Sequence, residues 1–406
     1  MSLAEAQRLD AADPLRARRA HFRLPEGITY LDGNSLGALP DGAPAHISGV
    51  VEREWGEGLV RSWNDAGWID MPRRVGTKIA PLIGAEAGEV IACDSVSVNL
   101  FKLIWAALCM RPERKTVLSE PGNFPTDIYM LNGLAGRGLA VPRLAAADML
   151  EQALDSDVAL LLLPHVHYQT GAMHDLARLT RAAHDAGALV LWDLSHSAGA
   201  VPVDLASCEA DFAVGCGYKY LNGGPGAPGF AYVAQRHLKA LEQPLTGWMG
   251  HSDPFSFRDD YEAAPGIEKL LAGTPSILAL AALEHGAELI ADIGVAALVA
   301  KSRALSEFTR QAAARIIPEL PCISPADPAA RGSQLSWRHD SAFALSQALI
   351  ARGVIGDFRT PDVLRFGFAP AYNSFADCWH ALEQLRAVLD SGEWQREEFN
   401  RRGRVT

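Results

Sequence analysis

The chain has 406 residues, 49% of them hydrophobic and 21% charged, with a formal net charge of −11. That length allows two or three domains with large buried cores, and the composition is that of an ordinary globular protein rather than a disordered one. The acidic balance leaves no electrostatic footprint for nucleic acid or for an anionic membrane surface.

The chain opens MSLAEAQRLDAADPLRARRA, without the apolar core of an export signal. Residues 1–45 carry too little pattern for a domain of their own and are expected to pack against the rest of the chain. Further on, DSVSVN (94–99) precedes the apolar helical run FKLIWAALCM. Its Ser and Asp read either as an ordinary helix cap or as the start of a helix whose free amides hold an anion. The longest aliphatic stretch, Val158 to Leu163, is far shorter than the roughly 20 residues that span a bilayer. It reads as a buried strand. HDLARLTRAAHDAG (174–187) then has helical spacing and a glycine stop, and LVLW (189–192) runs into Asp193. Strand, helix and strand at that spacing make a βαβ unit, hence a parallel sheet buried on both faces. FAVGC (212–216) and GFAYV (229–233) are further strands, and residues 46–275 form one α/β domain. Beyond it come long helices, LSWR (335–338), a helix over 341–352, VLRFGF (363–368) and a closing helix over 374–389. Residues 276–406 are therefore expected to form a smaller α+β domain.

The six cysteines (Cys93, Cys109, Cys208, Cys216, Cys322 and Cys378) form no CxxC pair, the usage of free thiols in a reducing compartment. With the absence of an export signal or a spanning segment, this points to the cytoplasm. His165 and His167 alternate at a strand end, but no third ligand follows with metal-site spacing, so they read as structural and no metal is expected.

The strongest chemical signal is WDLSHSAGAVPVDL followed by DFAVGCGYKYLNGGPG. Asp193 ends a parallel strand, the edge of an open α/β sheet where ligands bind. Lys219 stands among Gly215, Gly217, Gly223, Gly224 and Gly226, where backbone can approach a ligand closely. Taken singly, an Asp after a strand is a cap or turn former and a Lys in a glycine-rich turn is a surface residue. Together they meet two demands of pyridoxal phosphate, an amine for its aldehyde and a carboxylate for its ring nitrogen. NGGPGAPG lacks the GK[ST] ending of a nucleotide phosphate loop.

Seven segments in order, YLDGNSLGALP (30–40), NFPTD (123–127), WDLSHSAGAVPVDL (192–205), GYKYLNGGPG (217–226), GWMGH (247–251), LAGTP (271–275) and RFGFAPAYNSFAD (365–377), closely resemble the kynureninase family over nearly the whole chain. YLDGNSLG, GYKYLNGGPG and the RFGFAP–YNSF segment are the most specific to it; WDLSHSAG alone fits many pyridoxal-phosphate enzymes. The resemblance implies the aspartate-aminotransferase-like fold (type I), with a mostly parallel seven-stranded sheet between helices, a smaller C-terminal domain and a homodimer with shared active sites. It implies pyridoxal-phosphate-dependent hydrolysis of L-kynurenine, and of its 3-hydroxy form, to anthranilate (or 3-hydroxyanthranilate) and L-alanine, in tryptophan breakdown or cofactor synthesis.

By the same resemblance Lys219 carries the cofactor, Asp193 pairs with its ring nitrogen and Phe124 stacks on the ring. Val96, Ser97, Pro125, Thr126, Asp127 and His196 surround it. Tyr218 and Trp248 bind its phosphate, Thr274 reaches it from the neighbouring subunit, and Tyr218 is also the candidate for proton traffic. Arg365 takes the substrate carboxylate, a task suited to a planar guanidinium. Pro164 departs from the Ser or Thr found at this position in the family and supplies no hydroxyl. Trp63 and Trp68 are candidate walls for the aryl group, with core packing as the alternative. Other enzymes on this scaffold, a cysteine desulfurase, a selenocysteine lyase or an aminotransferase, are the competing readings. A desulfurase would need a mobile cysteine, for which Cys322 and Cys378 are the candidates.

Overall fold

In the structure, a computed structural model, residues 1–403 are described. A seven-stranded sheet organises the larger part of the chain. Its strands are β1 (Val90–Ala92), β2 (Thr116–Ser119), β3 (Val141–Leu144), β4 (Val158–Pro164), β5 (Leu189–Asp193), β6 (Phe212–Cys216) and β7 (Gly229–Val233). Their spatial order is β1-β7-β6-β5-β4-β2-β3, and β7 alone runs antiparallel to its neighbours. The mostly parallel sheet expected from the resemblance is thus present.

The period-two geometry of a strand explains why these strands are apolar throughout. Leu161, Leu163, Val190 and Trp192 feed the core cluster on one face, while Leu160, Leu162, Leu189 and Leu191 feed the cluster on the other. Helix Val96–Met110 covers the second face with Leu100, Leu103, Ile104 and Ala107. Helices Met71–Ile79 and Leu176–Asp185 cover the first. The helix Ile277–Ile293 adds Leu280, Leu283, Ala287 and Ile290 to that same first core. A separate core lies around a three-stranded antiparallel sheet, β8 (Gln334–Arg338), β9 (Asp357–Arg359) and β10 (Val363–Gly367), with helix Phe375–Ser391 packed on it.

The first residues are held by long-range contacts rather than by a core of their own. Thr29–Tyr30 pairs in parallel with Val354–Ile355, and the Asp10 carboxylate accepts from the Phe375 and Ala376 amides at a helix start. Gly37 N donates to the Tyr218 carbonyl at 2.8 Å, so the segment also touches the loop that bears Lys219.

Between β2 and β4 the chain reverses the direction in which it adds strands, the place in an open sheet where a crevice forms at the carboxyl ends. One glycine matters for how that crevice is framed. A Cβ on Gly217 would lie 2.3 Å from the Pro228 carbonyl oxygen and 2.8 Å from Leu283. Gly217→Ala is therefore expected to cost about 1–3 kcal/mol, read as a lower midpoint in denaturant unfolding. An unchanged midpoint would show that the two segments are not closely packed.

Candidate active site

At the carboxyl end of β5 the chain turns sharply, and Asp193 Oδ1 accepts from both Ser195 N (2.8 Å) and Ser195 Oγ (2.5 Å). Cys216 Sγ donates in turn to Ser195 Oγ at 3.2 Å. Burial raises the Asp193 carboxyl above its ordinary range, while Ser195 and the Lys219 charge oppose the rise. Asp127 stands next to it, wholly buried, and neither of its oxygens meets a hydrogen-bonding partner. Burial, and then the Asp193 charge, hold its carboxyl well above the usual range.

Lys219 is buried, and its Nζ lies 3.0 Å from His196 Nε2. Burial first, then the Lys219 and Arg365 charges, push His196 well below its ordinary value, so the imidazole is neutral. The Phe124 ring is 5.7 Å from the same Nζ and meets Tyr168 edge-on at 5.3 Å. Phe124 precedes the helix Pro125–Ala135, whose first turn carries Thr126 and Asp127.

These groups stand around one cleft. Of the residues singled out in the sequence, Val96, Ser97, Phe124, Thr126, Asp193, His196, Tyr218 and Lys219 line it. At its far side helix Val96–Met110 begins, capped by Ser95, whose Oγ accepts from Val98 N. A Cβ on Gly229 would lie 3.0 Å from Val96 N, so glycine there lets β7 run close beneath the helix start. Burial also keeps the Tyr218 phenol protonated, with Cys216 next in effect. A cationic aromatic ring bearing a phosphate suits these groups: a carboxylate pair with an orphaned member, a flat aromatic wall, a free amine and a helix N-terminus.

Pro164 is part of the cleft wall and supplies no donor. Pro125 opens the helix beside the cleft without lining it. Trp248 and Thr274 do not line it either; they stand on neighbouring exposed segments joined by Met249 N to Ala272 O at 3.2 Å. Arg365 does not itself line the cleft but donates to the carbonyl of Tyr168, which does; it is buried and held by both oxygens of Asp357, its register partner on the adjacent strand. Trp63 and Trp68 pack edge-on at 5.9 Å against the core on the first face of the sheet, and Trp68 donates to Glu54. Cys378 is buried in a helix, and Cys322 bridges to Trp337; neither lines the cleft. Ser195, Cys216 and Tyr168 line it without having been singled out from the sequence. Ser195 had a signal, its place two residues after the strand-ending Asp193, where a side-chain turn is common. Among the described residues, no group of three His, Cys, Asp or Glu could hold a metal, and no helix is long and apolar enough to cross a membrane.

The family model of the kynureninase C-terminal domain matches residues 298–385. Kynureninase of Burkholderia pseudomallei (strain 1106a) is 48% identical, with 99% of each chain covered. That of Pseudomonas fluorescens is 46% identical, with 98% of each covered. Among solved structures, a cysteine desulfurase from Thermococcus onnurineus NA1 superposes with a TM-score of 0.80 at 19% identity, over 92% of this chain and 98% of that one. One from Escherichia coli gives 0.79 at 21% identity, over 93% and 98%. At such identities these two share the fold.

Proposed function

The chain belongs to the kynureninase family, and from that premise we propose how its residues hydrolyse L-kynurenine to anthranilate and L-alanine. The cofactor is pyridoxal 5'-phosphate. When bound, it supplies an aldehyde for amines and a cationic ring that takes up the electron pair left at the substrate α-carbon. The observation that carries the assignment of roles is the meeting of Lys219 Nζ, neutral His196, Asp193 and orphaned Asp127 behind one aromatic wall.

Lys219 holds the cofactor, yields to the substrate amine and then takes the α-proton as general base. Neutral His196 lies 3.0 Å from its Nζ and adds no competing charge. Asp193 keeps a proton on the ring nitrogen; Ser195 holds its carboxylate in place. Phe124 fixes the ring plane, and Thr126 and Asp127 close the same side. The first turn at Val96 and Ser97, with Tyr218, holds the phosphate. Tyr218, kept protonated by burial, donates toward the carbonyl that water attacks as the Cβ–Cγ bond breaks. Arg365 binds the substrate α-carboxylate.

Trp248 and Thr274 belong, in this reading, to the cleft of a second copy, in a homodimer with shared active sites. The exposed aromatic group of Trp248, Phe255 and Phe257 supports it, since such patches mark protein contacts. Sedimentation is expected to give a particle of two chains, and an active monomer would contradict this. We also place the enzyme in the cytoplasm, and 3-hydroxykynurenine among its substrates.

The activity itself is tested by incubating the holoenzyme with L-kynurenine and, separately, L-cysteine. Equal amounts of anthranilate and alanine from the first, with no sulfide from the second, are expected. Sulfide release without anthranilate would move the activity to a desulfurase.

A further inference from the structure

Lys102 interrupts the apolar run FKLIWAALCM, and its side chain is wholly buried. A lysine taken out of water in this way has to be paired to keep its charge. It stands in the second turn of helix Val96–Met110, and side chains on a helix lean toward its N-terminus. Lys102 Nζ accordingly reaches back to the Asp94 carboxylate at 2.5 Å, and it also donates to the Leu270 carbonyl at 2.5 Å. Asp94 is fixed in its turn. Its backbone is left-handed (φ 49°), and its carbonyl accepts from Gly229 N at 2.8 Å. The acid therefore stands directly before the cap Ser95, at the helix start assigned to the phosphate.

A count of charges shows what the buried lysine does there. Among the described residues that line the cleft Lys219 is the one Lys or Arg, and its amine is committed to the cofactor's aldehyde. Within one chain the phosphate at Val96, Ser97 and Tyr218 is thus met by amides and hydroxyls, which bring dipoles and no net charge. A bare carboxylate two residues before Val96 would repel a phosphate dianion held there. We propose that Lys102 is a positioning residue for the cofactor's phosphate: it cancels the Asp94 charge and holds that carboxylate in place, so that the helix start presents its amides to the anion unopposed. This rests on the reading of Val96 and Ser97 as the phosphate site.

Burial makes Lys102 suited to this task. A cation out in solvent is screened by salt, whereas a wholly buried one acts on its neighbour with little dilution. Asp94 is the more accessible partner, with 30% of its side chain exposed, so water can solvate it when the lysine is removed and the chain still folds. An ion pair that only joined two segments would serve the whole cofactor equally. A charge-cancelling pair serves the phosphate alone, and that difference is measurable.

The test compares pyridoxal 5'-phosphate with pyridoxal, which has the same ring and aldehyde but no phosphate. Full-length protein stripped of cofactor is titrated with each, and Kd is read from the absorbance of the lysine-bound form. Lys102→Met keeps most of the side chain's bulk and removes its charge. It is expected to raise Kd for pyridoxal 5'-phosphate at least about tenfold, and Kd for pyridoxal less than about threefold. Adding Asp94→Asn removes the opposing charge and is expected to return Kd for pyridoxal 5'-phosphate to within about threefold of wild type, although the Leu270 carbonyl still lacks its donor. An unchanged Kd in Lys102→Met, an equal loss for both ligands, or no recovery in the double variant would overturn the proposal. Should Lys102→Met fail to fold, Asp94→Asn alone decides: it is expected to bind pyridoxal 5'-phosphate at least as tightly as wild type, and a loss of more than about threefold would overturn the proposal. Ser97→Asp tests the underlying reading separately, by placing in the first turn a carboxylate that a helix start tolerates. Loss of pyridoxal 5'-phosphate binding with pyridoxal binding kept supports the phosphate site, whereas wild-type binding of both removes that site and the role of Lys102 with it.

Discussion

Lys219→Ala is expected to lower kynurenine turnover by at least about ten-thousand-fold, because one side chain performs two tasks. In the mechanism proposed above, its Nζ is both the amine that holds the cofactor and the base that takes the α-proton. The site is built around that atom: His196 lies 3.0 Å away on one side and the Phe124 ring 5.7 Å away on another. Water cannot take over easily, since an uncharged water is a far weaker base than the Lys219 amine. Removing the side chain leaves His196 without its partner, which costs roughly 1 kcal/mol of stability and does not prevent folding. The check is single-turnover kinetics on folded variant reconstituted with cofactor. Addition of a small primary amine is expected to restore part of the rate, as the missing base is supplied from solution. Ordinary turnover in the variant would remove Lys219 from the chemistry.

Asp193→Asn carries the second largest effect, a fall in kcat of roughly a thousandfold. The amide keeps the shape of the carboxylate but not its charge, and a neutral group gives a protonated ring nitrogen little support. The loss is sharpened by the setting. Both donors from Ser195 reach Oδ1, so the carboxylate is already oriented and has no reorganisation to undergo. Asp127, the other acid at this place, is pushed well above the usual carboxyl range by burial and then by the Asp193 charge. In Asp193→Asn that repulsion is gone, and Asp127 takes over part of the charge, which keeps the loss below that for Lys219. A double variant, Asp193→Asn with Asp127→Asn, therefore loses more than either alone. A kcat for Asp193→Asn within tenfold of wild type would mean that ring protonation does not depend on this carboxylate.

Most of the sheet was legible because each central strand is a short apolar run buried on both faces and punctuated by turn residues. VALLLL, LVLW, FAVGC and GFAYV appear where expected, and Asp193 ends its strand as the motif required. The first residues were not legible, since the pairing of Thr29–Tyr30 with Val354–Ile355 joins segments that share no local pattern. Nor could spacing show that Ile277–Ile293 shares its core with the sheet. In the site, Lys219, Asp193 and His196 were found because they fall in one motif read against known chemistry. Ser195 was passed over although it lies in the same motif, because its role is to hold another residue. Arg365 was identified, but its tie to Asp357 depends on which residues face each other across β9 and β10, a matter of register that single residues do not announce. Trp248 and Thr274 stand apart from the cleft of a single chain, so no motif near Lys219 could announce where they lie.

The central claim, that this cleft carries pyridoxal phosphate on Lys219 and uses it on kynurenine, is tested most directly by reducing the holoenzyme with borohydride and mapping its peptides by mass. The peptide containing Lys219 is expected to gain one phosphopyridoxyl group, with anthranilate production lost in proportion to the label. Label on a different lysine, or kynurenine cleavage that survives complete labelling, would contradict it.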